Sequence, residues 1–204
     1  MTVTTRPVPA PHSGQPPQRP SARREQLLDR AYSYALEHGL ADLSLRPLAA
    51  AIGSSPRVLL FLFGSKDGLV RELLARARAD ELGYLASDHA IGEDGMAAMV
   101  AATWRWLEAE QVQPLLTLWT EAYGRSLVEP DGPWSGWASQ SVSDWLDVLA
   151  TAQPDDHAAE PDLGAERTLA LAVLRGCLLD LLATGDRERV GAAIRRYLDL
   201  TEGA

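Results

Sequence analysis

The sequence predicts an all-α fold, and three observations carry that expectation. Apolar residues recur at helical spacing through most of the chain beyond residue 20. Segments rich in Gly, Pro and Asp, above all Glu129-Pro-Asp-Gly-Pro133 and Gln153 to Pro161, cut this pattern into helix-sized pieces. No stretch alternates apolar and polar residues as a strand does, and no period of 20 to 50 residues repeats. The expected architecture is an N-terminal three-helix domain containing a helix-turn-helix, followed by a C-terminal helical domain, with about nine helices in all. Its boundaries are a tail over 1–20, a head over 21–66 and a body over 67–204.

The tail carries six of the thirteen prolines and hardly any apolar side chain beyond Ala and Val. That composition cannot bury a core, so disorder is expected there. Arg19, Arg23 and Arg24 at its end read as solvated charges before a helix, with an arm reaching DNA as the alternative. The first helix follows Pro20, takes Ser21 as its cap, buries Leu27, Leu28, Ala31, Tyr34 and Ala35, and ends at Gly39.

The segment from Ser44 to Leu69 is the most informative. Leu45, Leu48, Ala49 and Ile52 share one face of a short second helix, with Pro47 tolerated in its first turn. Gly53 follows, where a helix end accepts a left-handed residue. Ser55 then precedes Pro56, an N-cap and first-position signature. The third helix buries Val58, Leu59, Leu62 and Phe63 and turns Pro56, Arg57 and Leu60 outward. Two helices crossed over a short Gly-containing turn form a helix-turn-helix, whose second helix enters a DNA major groove. A fourth helix opens at Lys66, the only lysine in the chain, and runs to about Leu85, joining head to body.

Five further helices are expected near 94–110, 113–127, 134–152, 163–184 and 187–201. All six tryptophans lie between 104 and 145. Met96, Val100, Trp104 and Leu107 share a face of the fifth helix. Trp106 stands about 200° from Trp104, so the two should not meet one core. Leu115, Trp119 and Ala122 align in the sixth, with Leu118 and Tyr123 beside them, and Trp134, Trp137, Ser141, Trp145 and Val148 align in the seventh. For any single residue, plain core is the simpler reading. Together they resemble the lining of an apolar pocket, and a small apolar or aromatic effector is expected among Trp104, Leu107, Leu118, Trp119, Tyr123, Trp145 and Cys177. The eighth helix is apolar nearly all round and must be covered on both sides.

Charge is unevenly placed. Residues 1–80 hold 11 Lys+Arg against 7 Asp+Glu, and residues 81–204 hold 8 against 21, so the net −9 divides into +4 and −13. A basic head on an acidic body suits docking one end on phosphate. No apolar run approaches the ~18 residues of a membrane span, and the N-terminus lacks a charged start before an apolar block. The single cysteine, Cys177, forms no internal disulfide. A cytoplasmic protein with no membrane partner is expected.

From Leu27 to Leu69 the chain resembles the N-terminal domain of the TetR family of one-component transcriptional regulators. The stretches LLDRAYSYALEHGL, SLRPLAAAIGSS and VLLFLFGSKDGL carry the likeness. Ala31, Gly39, Ser44, Leu48, Ala49, Gly53, Ser55, Leu59, Phe63, Ser65, Lys66 and Leu69 fit the family pattern. The chain departs from that pattern at Leu60 and Leu62, where the family usually carries a backbone-contacting Tyr and His. It departs again at Arg57, a cation in place of a small residue, and at Ser54 in place of an apolar one. The resemblance implies a ligand-responsive regulator, by default a repressor released from a palindromic double-stranded DNA operator by the effector. It also implies a homodimer formed by the last two helices, here through Leu171, Leu174, Leu178, Leu182, Val190, Ile194 and Tyr197. A rival reading is a helical ligand-binding or protein-interaction module with weakened DNA binding.

The candidate DNA-facing set is Ser44, Arg46, Ser54, Ser55, Pro56, Arg57, Phe61 and Lys66. Ser44 and Ser55 are expected to cap their helices, with phosphate contact as an added role. Arg46 suits the flanking backbone and Arg57 a guanine edge. Lys66 suits a phosphate at the start of its helix, and Phe61 either a thymine methyl or the edge of the core. Catalysis has little support. His12, His38, His89 and His157 lack metal-ligand spacing, no Gly-rich phosphate loop is present, and a thiol in the apolar surroundings of Cys177 is inert. No cofactor, metal or catalytic residue is expected.

Overall fold

The computed structural model describes residues 22–85, 95–129, 131–153 and 161–202. The whole proline-rich tail, including His12 and Arg19, lies outside the described residues, as do Ser21, His89 and His157. Among those described there are nine α-helices and no strand. They are α1 (Ala22–His38), α2 (Leu45–Ala51), α3 (Pro56–Phe63), α4 (Lys66–Leu85), α5 (Gly95–Leu107), α6 (Gln113–Val128), α7 (Trp137–Ala150), α8 (Pro161–Thr184) and α9 (Arg187–Glu202), with a 3-10 turn at Glu110–Val112.

The head closes around Leu27, Ala31, Leu48, Leu59 and Leu69, all buried. Helix α1 packs on α2 and α4, and α3 packs on both α2 and α4. Helix α4 is shared between head and body. Its stripe Leu69, Val70, Leu73, Leu74 and Ala77 is buried and continues to Glu81 at the same helical spacing. In the body α6 packs on α7, α7 on α8, α8 on α9, and α5 lies against α8 and α9. A second head–body link leaves α4 out. The N–H of Leu40 donates to Oε2 of Glu121 on α6 at 2.8 Å. Gly39 precedes it at φ +77°, where a Cβ would stand 3.1 Å from the same oxygen.

Several expectations need correction. The fifth helix stops at Leu107 and gives way to the 3-10 turn. The seventh begins at Trp137, so Trp134 sits in the preceding turns. Trp104 and Trp106 are both buried, because α5 is enclosed on two sides. Trp106 stacks on Tyr84 at 4.6 Å between ring centroids and lies 6.4 Å from the ring of Trp145.

The residues expected at a dimer contact also need revision. Leu171, Leu174, Leu178, Val190 and Ile194 are buried within the protomer itself, and Leu182 and Tyr197 are half-buried against that core. In a helix apolar all round, periodicity does not say which side turns inward. The side of α8 left open carries Leu169 (54% exposed), Ala172, Gly176, Leu179 (49% exposed) and Ala183, with Leu200 of α9 exposed as well.

Candidate nucleic-acid interface and ligand chamber

Helix α3 turns 102° from α2. Two features make that corner. Gly53 adopts φ +68°, and the N–H groups of Ser54 and Gly53 donate to the carbonyls of Ala49 and Ala50 at 2.8 and 3.4 Å, a Schellman ending. Arg30 of α1 adds a bond from Nη1 to the carbonyl of Ile52 at 3.3 Å. Ser55 then caps α3, its Oγ accepting from the N–H of Val58 at 3.3 Å, with Pro56 in the first turn.

Ser44 does not cap α2: its backbone is extended, as a cap requires, yet its hydroxyl makes no capping bond. The third helical position is Pro47, which has no N–H to offer, so the usual donor is missing. Ser54 also departs from expectation. Its Oγ is buried without a partner among the described residues, because this position after the left-handed glycine turns toward the protein rather than outward.

The remaining candidates face outward. Arg46, Arg57 and Lys66 are exposed, and among the described residues none has an acidic side chain within ion-pair distance. Ser44, Arg46, Pro56 and Lys66 converge on one open depression of about 620 Å³, which also contains Asp42. Along α3 the outer face reads Arg57, Leu60 and Phe61. Phe61 is 85% exposed and Leu60 43%, which removes the core-edge reading of Phe61. Lys66 is held by a tight corner in which Ser65 Oγ accepts from the N–H of Gly68 at 2.9 Å. A Cβ on Gly68 would stand 2.1 Å from the carbonyl oxygen of Phe63, so only glycine fits there.

In the body, the aromatic residues enclose a buried polar cluster rather than a purely apolar space. A cavity of about 10 Å³, room for one water at most, is lined by Glu81, Leu107, Leu116, Trp119, Trp145, Leu174, Arg175 and Leu178. Of the seven expected ligand residues it gathers Leu107, Trp119 and Trp145. Trp104 and Leu118 are buried elsewhere in the same core. Tyr123 stacks on Trp119 at 4.9 Å behind the wall. Cys177 is half-buried, and burial pushes its thiol pKa up, away from reactivity.

Sequence reasoning missed Glu81 and Arg175. Glu81 is 5% exposed, and the indole N–H of Trp145 donates to its Oε1 at 2.7 Å. Burial pushes its carboxyl up to about 7, against smaller lowering influences from the Trp145 bond and Arg175. The guanidinium of Arg175 lies 5.4 Å from the ring centre of Trp119 and 5.1 Å from that of Tyr123. It donates to Ser141 Oγ at 3.2 Å and Tyr123 Oη at 3.4 Å. Ser141 Oγ also accepts from Trp119 Nε1 at 3.1 Å. The signal for both charges was available. Each falls at helical spacing within a buried apolar stripe, Glu81 after Leu73 and Ala77, Arg175 between Leu171 and Leu178.

A separate open cleft of about 500 Å³ lies between α4 and the turn before α7, with Arg71, Leu74, Leu82, Pro133 and Trp137 among its walls. Beside it Arg78 pairs with Asp144 at 2.6 Å, a second tie from α4 to α7. Among the described residues no helix is long and apolar enough to cross a membrane, and no three His, Cys, Asp or Glu side chains converge as metal ligands.

Residues 27–73 match the family model described as bacterial regulatory proteins, tetR family. No curated protein matches the chain by sequence. Solved structures share the fold across most of their length. The multidrug binding protein EbrR, complexed with imidazole, is 22% identical over 91% of this chain and 94% of its own, with a TM-score of 0.65. The same protein complexed with proflavin is 23% identical, covering 85% of this chain and 96% of its own at TM-score 0.63. A transcriptional regulator from Rhodococcus sp. Rha1 is 20% identical over 87% and 94% of the two chains, TM-score 0.70. GusR of Salmonella enterica is 19% identical over 89% and 96%, TM-score 0.65.

Proposed function

We propose, on the premise that residues 27–73 place this chain in the tetR family of bacterial regulatory proteins, that it is a ligand-responsive repressor acting as a homodimer on a palindromic operator. The observation that carries this reading is the set of exposed cations on the helix-turn-helix, Arg46, Arg57 and Lys66, which have no acidic partner among the described residues. On that reading residues 21–66 form the DNA-binding head and residues 67–204 the body. Arg46, Ser44 and Lys66 bind phosphates, while Arg57 and Phe61 enter the groove. With Leu60 and Phe61 as the large apolar side chains on the outer face of α3, base reading is mainly apolar and favours thymine methyl groups, with Arg57 on a guanine edge.

Dimerisation uses the open side of α8, Leu169, Ala172, Gly176 and Leu179, rather than the buried leucines expected from sequence. Small residues in that stripe allow close approach of two helices. Pairing the copies sets two recognition helices about one DNA turn apart, roughly 34–36 Å. The chamber around Trp119 and Trp145 binds an aromatic effector. EbrR, a structural neighbour, is complexed with the flat aromatic proflavin, which supports that reading. Because the cavity is nearly filled here, the effector must displace side chains to enter. Movement at Glu81 or Asp144 passes directly to α4, and coupling of ~1–3 kcal/mol suffices to release an operator.

A mobility-shift assay on DNA upstream of the coding sequence tests the reading. Salt-sensitive, sequence-specific retardation is expected. Indifference to every oligonucleotide in low-salt buffer would refute it.

A further inference from the structure

Arg175 is half-buried against an apolar interior. A guanidinium has five N–H donors, so drawing it partly out of water without a carboxylate partner is costly. Among the described residues no carboxylate lies within ion-pair distance of it. Its two bonds go to neutral hydroxyls at long distances, 3.2 and 3.4 Å, and its Nε is buried with no hydrogen-bond partner among the described residues. Glu81 lines the same cavity but accepts from Trp145 instead, and its raised pKa leaves it only partly charged near neutral pH. The cavity therefore presents a positive charge met only by the ring faces of Trp119 and Tyr123 and by a partly protonated Glu81, with the indoles of Trp119 and Trp145 in its walls.

We propose that the effector of this chamber is a small aromatic acid, whose carboxylate is bound by Arg175 and whose ring lies against Trp119 and Trp145. This rests on the chamber reading above and adds the ligand's charge. A carboxylate matches the guanidinium fork with two parallel bonds. It supplies the counter-charge that Ser141 and Tyr123 do not. A cationic aromatic would set a second positive charge beside Arg175, with only Glu81, partly protonated, to offset both. A neutral aromatic would leave the guanidinium as it stands. The site joins α8 to α4 through Arg175 and Glu81, so an anion drawn to Arg175 also reaches the helix that carries the head.

The test uses the full chain and three probes of similar shape: 2-naphthoate, its neutral amide, and the cation proflavin. Affinities are read from tryptophan emission and checked by calorimetry. The wild-type protein should bind naphthoate at least tenfold more tightly than the amide. Arg175→Gln should bring the ratio to about one, while Arg175→Lys, which keeps the charge, should retain part of the preference. Glu81→Gln, which removes the one neighbouring acidic group, should widen the ratio, and a ratio narrowed by it would count against the assignment. If acid and amide bind equally, or proflavin binds best, the anion assignment falls while the aromatic chamber survives. If none of the three perturbs the tryptophans or the melting temperature, both fall together. Should Arg175→Gln fail to fold, the Arg175→Lys ratio and the wild-type ratio still decide the matter.

Discussion

Ser44 and Ser55 show how a single neighbour changes the work of the same side chain. Both precede short helices, but only Ser55 finds an N–H to accept, since Pro47 removes the donor Ser44 would use. Ser55→Ala should cost about 1 kcal/mol of stability, the usual value of a serine cap, and Ser44→Ala close to nothing. Thermal melts of the two variants compare them directly. At Phe61 the consequences divide the other way. The ring is 85% exposed, so Phe61→Ala should leave the melting temperature within a degree or two. It should weaken operator binding by roughly tenfold, the lower end of a lost base contact. Replacing thymine by uracil in the half-site should weaken the wild-type protein and leave the Ala variant unaffected.

Individual helices were readable where one face is apolar and the other is not. The fourth helix runs from Lys66 to Leu85 as expected, because Ser65 and Lys66 mark its start and Gly83 and the sequence from Ser87 mark its end, and burial shows its inner stripe at Leu69, Val70, Leu73, Leu74 and Ala77. The eighth was not readable in the same way. Leucines surround it, so spacing could not separate the side facing the protomer's core from the side left open. Glu81 and Arg175 were passed over because lone charges in helices usually belong to a solvated face, although both fall on buried stripes.

Substitutions on the two sides of α8 should therefore behave oppositely. Leu178→Ala should destabilise the protomer by ~2–5 kcal/mol through the void it leaves. Leu179→Glu should spare the fold and shift the protein to monomer, read by sedimentation. A dimer surviving Leu179→Glu would reject the open α8 stripe as the contact. At the corner between α3 and α4, Gly68→Ala should lower stability by ~1–3 kcal/mol or more. Its methyl must push the Phe63 carbonyl aside, and the loss should appear in chemical denaturation of the whole chain.

At the scale of the whole molecule, the carboxyl of Glu81 links pH to stability. Its pKa in the folded state, about 7, stands above the ordinary 4.5, so the native chain keeps a proton that the unfolded chain releases. Stability should be greatest at and below pH 4.5 as far as this group is concerned. It should decline as pH climbs toward 7 and level off beyond, a change of about 3 kcal/mol. Glu81→Gln should flatten that slope in denaturant titrations at pH 5 and pH 8. A slope unchanged by the substitution would place its origin in another group.

The head is moored twice, once along α4 and once where Glu121 grips the amide of Leu40. A body joined to its tip by a single rod lets the tip swing freely. Two moorings a helix apart restrict it to tilting about the line between them. Any rearrangement of α6 then reaches the α1–α2 corner as directly as one of α4 reaches α3, and severing the Glu121 mooring should loosen the aim of the recognition helix without unseating it.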